Sequence, residues 1–74
     1  MDTITNNLHI FKTNIKDVCP NCAVYKTLSN HTEIAQWSID TDDVDCVLRI
    51  ASAILTPALI ITIINQLGYQ CQEL

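Results

Sequence analysis

The sequence predicts an α+β sandwich, with two helices on one face of a four-stranded antiparallel sheet, and three observations carry that expectation. Apolar residues alternate with a period of two over residues 8–15, 34–40 and 44–50. Helix-start chemistry, a proline directly after a residue able to cap, appears at Cys19-Pro20 and at Thr56-Pro57, each followed by a helical apolar stripe. With a short last strand over 69–73, the order is β-α-β-β-α-β within 74 residues, which leaves room for one core only.

Composition narrows the class further. Hydrophobic residues make up 49% of the chain against one Gly and two Pro, which fits a packed globule and not a disordered segment. A formal charge of −4 with no Lys/Arg cluster makes nucleic acid and anionic membrane poor partners and favours a basic or neutral protein surface. Residues 50–64 are rich in Ile, Leu and Ala, but Ser52, Thr56, Pro57 and Thr62 interrupt them. The run also falls short of the roughly 20 residues a spanning helix needs. The first residues lack the basic-then-apolar order of a signal peptide, so a cytoplasmic, reducing setting is expected. There, four cysteines read as thiols, ligands or small core residues and not as a disulfide framework.

Taken in order, residues 1–7 are polar and expected to fray, and the domain proper spans 8–74. The first strand, 8–15, points Phe11 and Ile15 at the core. Asp17 or Cys19 is placed to cap a helix that starts at Pro20 and runs to about Asn30, with Val24, Tyr25 and Leu28 inward. Residues 29–33 turn the chain into a strand over 34–40 with Trp37 and Ile39 inward. The polar connection 41–43 leads to a strand over 44–50, in which Cys46, Leu48 and Ile50 share one parity. Thr56 is the expected N-cap of the second helix, which carries the stripe Ile60, Ile61, Ile64 and Leu67 and ends before Gly68.

Chemistry is most plausible at Cys19-Pro-Asn-Cys22. Two thiols three residues apart on a first helical turn point the same way, beside backbone N–H groups that favour thiolate over thiol. That describes a soft-metal clamp or a redox dithiol, and the bland alternative is a pair that does neither. The redox reading is supported by the likeness of Cys19-Pro-Asn-Cys22 to a glutaredoxin-type site and of Thr56-Pro57 to the Thr-Pro facing the dithiol in thioredoxin-like folds. Against it, only 17 residues follow Pro57, too few for the strands and helix such folds still require.

Phe11-Lys-Thr-Asn-Ile15, Leu28 at the helix end, Trp37-Ser-Ile-Asp-Thr41, Leu48-Arg-Ile50 and Gly68-Tyr69 resemble the heavy-metal-associated domain family of copper chaperones and metal-ATPase modules. The resemblance covers nearly the whole chain and is strongest to short bacterial members with the Phe-Lys-Thr-Asn-Ile strand. It implies a ferredoxin-like sandwich that binds Cu(I) or a similar soft ion through a Cys-x-x-Cys in the loop after the first strand. An ungapped alignment, however, sets Asp17 and Pro20 in the two ligand slots, and Cys19 and Cys22 fall two residues later. Either the loop has gained two residues at the helix's expense, or the ligand motif has decayed.

In that topology all four cysteines lie toward one end of the domain. A Cys46–Cys71 disulfide is not expected, since the first strand separates theirs. A larger thiolate site that recruits Cys46 or Cys71 would favour Zn²⁺, while the bland reading makes both small buried hydrophobes. His9 and His31 fall at the opposite end and are not expected to be ligands. Asp40, Asp42, Asp43 and Asp45 form an acidic hairpin, either a solvated turn or a docking patch for a basic partner. Beyond its core stripe the second helix carries Ala58, Leu59 and Ile63, so a homodimer or partner contact through Leu59 and Ile63 is weighed against scattered surface apolar residues.

The function expected is therefore a small, non-enzymatic metal-binding module, with Cys19 and Cys22 as thiolate ligands for Cu(I) or Zn²⁺. The alternatives are a degenerate relative acting as an interaction or oligomerisation module without metal, and a dithiol redox protein. No carboxylate pair, Ser-His-Asp set or Gly-rich phosphate loop supports another enzyme class.

Overall fold

A computed structural model of the chain describes residues 7–74. The frayed segment expected over 1–7 lies outside the described residues except for Asn7, which already opens the first strand. The elements run β1 (Asn7–Thr13), α1 (Ala23–Asn30), β2 (Gln36–Asp40), β3 (Val47–Ser52), α2 (Pro57–Gln66) and β4 (Cys71–Glu73). The sheet is antiparallel with strand order β2-β3-β1-β4, the ferredoxin-like βαββαβ arrangement that the sequence predicts.

Register explains which side chains meet. Ile39 pairs with Leu48 and Leu48 with Phe11 in one row across the sheet, and Trp37, Ile50 and His9 form the next. Alternation puts these residues on one face, where Phe11, Leu48 and Ile50 are sealed from water. Both helices cover that same face, α1 with Val24 and Leu28, α2 with Ile60 and Ile64, and the loops add Ile15 and Leu55. Burying each such side chain contributes about 1.5–3 kcal/mol, so the apolar periodicity is what holds sheet and helices together.

The second helix follows its local signals closely. The Thr56 side chain accepts a hydrogen bond from the Leu59 N–H at 3.3 Å, and Pro57 occupies the first turn. At the other end Gly68 has φ +96°, its N–H donates to the Asn65 carbonyl, and the Tyr69 N–H donates to the Ile64 carbonyl. This is the Schellman arrangement, which needs a left-handed residue just past the helix.

Several boundaries differ from expectation: β1 ends at Thr13 and not at Ile15, β3 runs on to Ser52, β4 begins at Cys71 and not at Tyr69, and three starts shift for identifiable reasons. The first helix starts at Ala23 and not at Pro20, because Cys19 to Cys22 is spent on a turn closed by the Cys22 N–H donating to the Cys19 carbonyl at 2.9 Å. The capping position therefore falls to Cys22, whose side chain makes no capping bond, and not to Asp17 or Cys19. The third strand starts at Val47 and not at Val44, since Asp40 and Asp43 each accept a backbone N–H two residues on, from Asp42 and Asp45, and wind the chain into successive turns. The second strand starts at Gln36, two residues late, after a turn in which the Ile34 N–H donates to the His31 carbonyl. Tyr25 is also not inward: it lies at the surface with its ring edge-on to Trp37, centroids 5.4 Å apart.

Candidate functional site

The end of β1 anchors the cysteine loop from below. Thr13 is buried in register with Cys71, and its hydroxyl donates to the Cys46 carbonyl at 2.7 Å while accepting the Ile15 N–H at 3.1 Å. Asn14 accepts the Gln70 N–H at 2.8 Å, which ties the start of the last strand to the same point. Ile15 is sealed in the core and Val18 packs against it, so the chain leaves the sheet firmly held before reaching Cys19.

Cys19 and Cys22 meet as a disulfide with their Cα atoms 5.3 Å apart. Cys19 is exposed, while Cys22 is half-buried and packs against the core. The pair is therefore asymmetric, one sulfur available from solvent and one backed by the fold. The thiols do not share a first helical turn as the spacing predicts; Cys19 stands in the preceding turn and Cys22 at the N-cap of α1. The helix N-terminus still sits beside them, with its unpaired N–H groups and positive dipole end.

Cys46 and Cys71 are free thiols on either side of Thr13. Cys46 is buried and holds a positive φ of 43°, a conformation no apolar pattern signals. Cys71 is half-buried, and desolvation pushes its thiol up to about 11, which makes it a poor nucleophile and ligand near neutrality. Among the described residues no three of His, Cys, Asp and Glu gather into a group able to hold a metal ion. Cys19 and Cys22 thus form a pair, without the larger thiolate set entertained from sequence.

The remaining candidates scatter. The His31 Nδ1 accepts the Glu33 N–H at 3.2 Å in the turn after α1, a structural role. His9 is half-buried near the far end of β1, with Nε2 enclosed and unbonded among the described residues. Asp40, Asp42 and Asp43 are exposed, and Asp45 pairs with Lys12 at 3.6 Å. On α2, Leu59 is 52% exposed and Ile63 half-buried, with Ile54 exposed in the approach to the helix. No helix among the described residues is long and apolar enough to cross a membrane.

Two residues that organise this architecture escape sequence reasoning. One is Thr13, whose polar side chain sits in phase with Phe11 and Ile15, the only local hint of its burial. The other is Ser52, fully buried, which donates to the Glu33 carbonyl and accepts the N–H groups of Ile54 and Leu55. Comparison with protein-family models, with curated proteins and with solved structures finds no match to this chain.

Proposed function

We propose that the chain is a heavy-metal-associated-like domain that carries a soft metal ion, Cu(I) or Zn²⁺, on the thiolates of Cys19 and Cys22. The observation that supports this most is the meeting of those two sulfurs in the loop between β1 and α1, one of them exposed. A pair with no third ligand beside it among the described residues suits Cu(I), which accepts two thiolates in line, better than Zn²⁺, which asks for four donors. The reduced pair binds and the disulfide does not. Each ligand must lose its proton, so affinity rises with pH, and the adjacent helix N-terminus lowers the cost of that loss. Exposed Cys19 is the ligand a partner's thiolate displaces first, handing the ion on by exchange. A protein partner or second copy makes its apolar contact at Leu59, with Ile63 behind it, and the reducing cytoplasm is the setting in which the thiols persist.

The test is an anaerobic competition titration of the reduced protein with Cu(I) and with Zn²⁺, alongside Cys19→Ser/Cys22→Ser. Tight one-to-one binding lost in the variant supports the carrier. Equal binding by parent and variant ends it and leaves a domain that works through its surfaces.

A second reading, dithiol redox exchange, is favoured by the disulfide itself. In that case the exposed Cys19 thiolate attacks a substrate disulfide and Cys22 resolves the mixed disulfide, so that the substrate is reduced as the pair is oxidised. Turnover with a disulfide substrate that is lost in Cys19→Ser, in protein shown to bind no metal, would select it.

A further inference from the structure

We infer that the outer edge of β2 accepts an extended peptide segment with basic ends as a fifth strand. Among the described residues β2 pairs only with β3, so alternate backbone N–H and C=O groups along Gln36–Asp40 face away from the sheet. Natural edge strands are guarded by charged side chains, proline or a bulge, and within Gln-Trp-Ser-Ile-Asp the one charge, Asp40, stands at the C-terminal end and leaves Gln36–Ile39 without lysine or proline. The opposite edge, β4, is three residues long and offers far less.

The edge also has walls. An open groove of about 670 Å³ wraps it, bounded by Leu28 and Ile34 on the helix side and by Arg49 and Ala51 on the uncovered face, with Trp37 between. Trp37 is half-buried and steadied by the edge-on Tyr25 ring, which makes it a rigid aromatic anchor beside unpaired backbone. An added strand gains main-chain bonds from β2 and rests alternate side chains on Trp37.

Charge identifies the occupant. Asp40, Asp42 and Asp43 are exposed at the C-terminal end of β2, and Glu33 is exposed just before its other end. A second copy paired antiparallel about Ser38 would set the acidic turn of each molecule toward the Glu33 of the other, like charge against like at both ends. A basic segment meets neither penalty. In an antiparallel strand its N-terminal residues lie beside Asp40 to Asp43, and Arg49 at the groove margin confines the cations to the ends and leaves the middle uncharged.

Trp37 is the only tryptophan in the chain and so reports on the site directly. The probe is a synthetic peptide of about nine residues, lysines at both ends and valine alternating with threonine between, titrated into the full 74-residue chain while Trp37 emission is followed. A saturable shift is expected, about fivefold weaker in Asp42→Lys and abolished when alternate peptide nitrogens are methylated. No saturable shift, or equal binding by the methylated peptide, overturns the inference. So does sedimentation that shows a dimer without peptide whose dissociation alters Trp37 emission, since the edge then belongs to a second copy.

Discussion

The hydroxyl of Thr13 holds the carbonyl of Cys46 at 2.7 Å, linking the last residue of β1 to the residue that enters β3 with a positive φ. The same oxygen accepts the Ile15 N–H, so one side chain fixes both the exit from β1 and the entry to β3. Thr13→Val keeps the shape and removes both bonds, leaving a carbonyl and an N–H without partners. A loss of about 2–3 kcal/mol is expected, read as a lower urea midpoint with an unchanged slope.

Ser52 plays the corresponding part at the other end of β3. Its hydroxyl bonds to the Glu33 carbonyl and to the N–H groups of Ile54 and Leu55, from a fully buried position. Ser52→Ala should cost about 1–3 kcal/mol, and amide exchange should quicken at Ile54 and Leu55 ahead of the β1–β3 ladder.

Gly68 closes α2 with φ +96°, and no atom beyond its own residue and its two chain neighbours lies within 4 Å of where a Cβ would stand. The cost of Gly68→Ala is therefore conformational and not steric, about 1 kcal/mol. A Gly68→Asn variant, which tolerates the left-handed region better, should recover part of it in the same thermal melts.

Cys71 gives the fold an alkaline limit. Burial raises its thiol from 9.0 to about 11, so the folded state holds its proton more tightly than the unfolded chain does. That contribution is complete below pH 9.0 and is lost as pH rises through about 11. Stability of the parent should fall across this window more steeply than that of Cys71→Ala, when both are measured by denaturant unfolding. At neutral pH the reduced protein should alkylate at Cys19 well before Cys71.

What the sequence makes legible follows the range of the interaction involved. The sequence of elements along the chain, the inward face of β1 and both ends of α2 follow from periodicity and cap chemistry, since Thr56, Pro57 and Gly68 act on neighbours a few residues away, whereas the order of strands in the sheet is implied only by the family resemblance. The start of β3 does not, because it depends on turns held by Asp40 and Asp43 and on a hydroxyl 33 residues earlier in the chain. Tyr25 matches the helical stripe yet lies at the surface, because α1 meets the sheet beside an outer strand and the ring leans on Trp37. At the site, the closeness of Cys19 and Cys22 is implicit in their spacing. Which of the two faces water depends on Pro20 and Asn21 forming a turn and not a helix, a choice between two local structures that the residues alone leave balanced.

The loop that carries the thiols is clamped at Asn14 and Ile15 on one side and at Cys22 on the other, and only Val18 between them packs inward. Lys16, Asp17, Cys19, Pro20 and Asn21 all face solvent. Solvent-facing and packed positions thus divide the loop between them, with Cys22 alone belonging both to the sulfur pair and to the packed set. Replacing the five solvent-facing residues should leave the sheet and both helices to assemble as before, so a lineage built on this scaffold is free to vary the exposed sulfur, Cys19, while its neighbour Cys22 stays tied to the core.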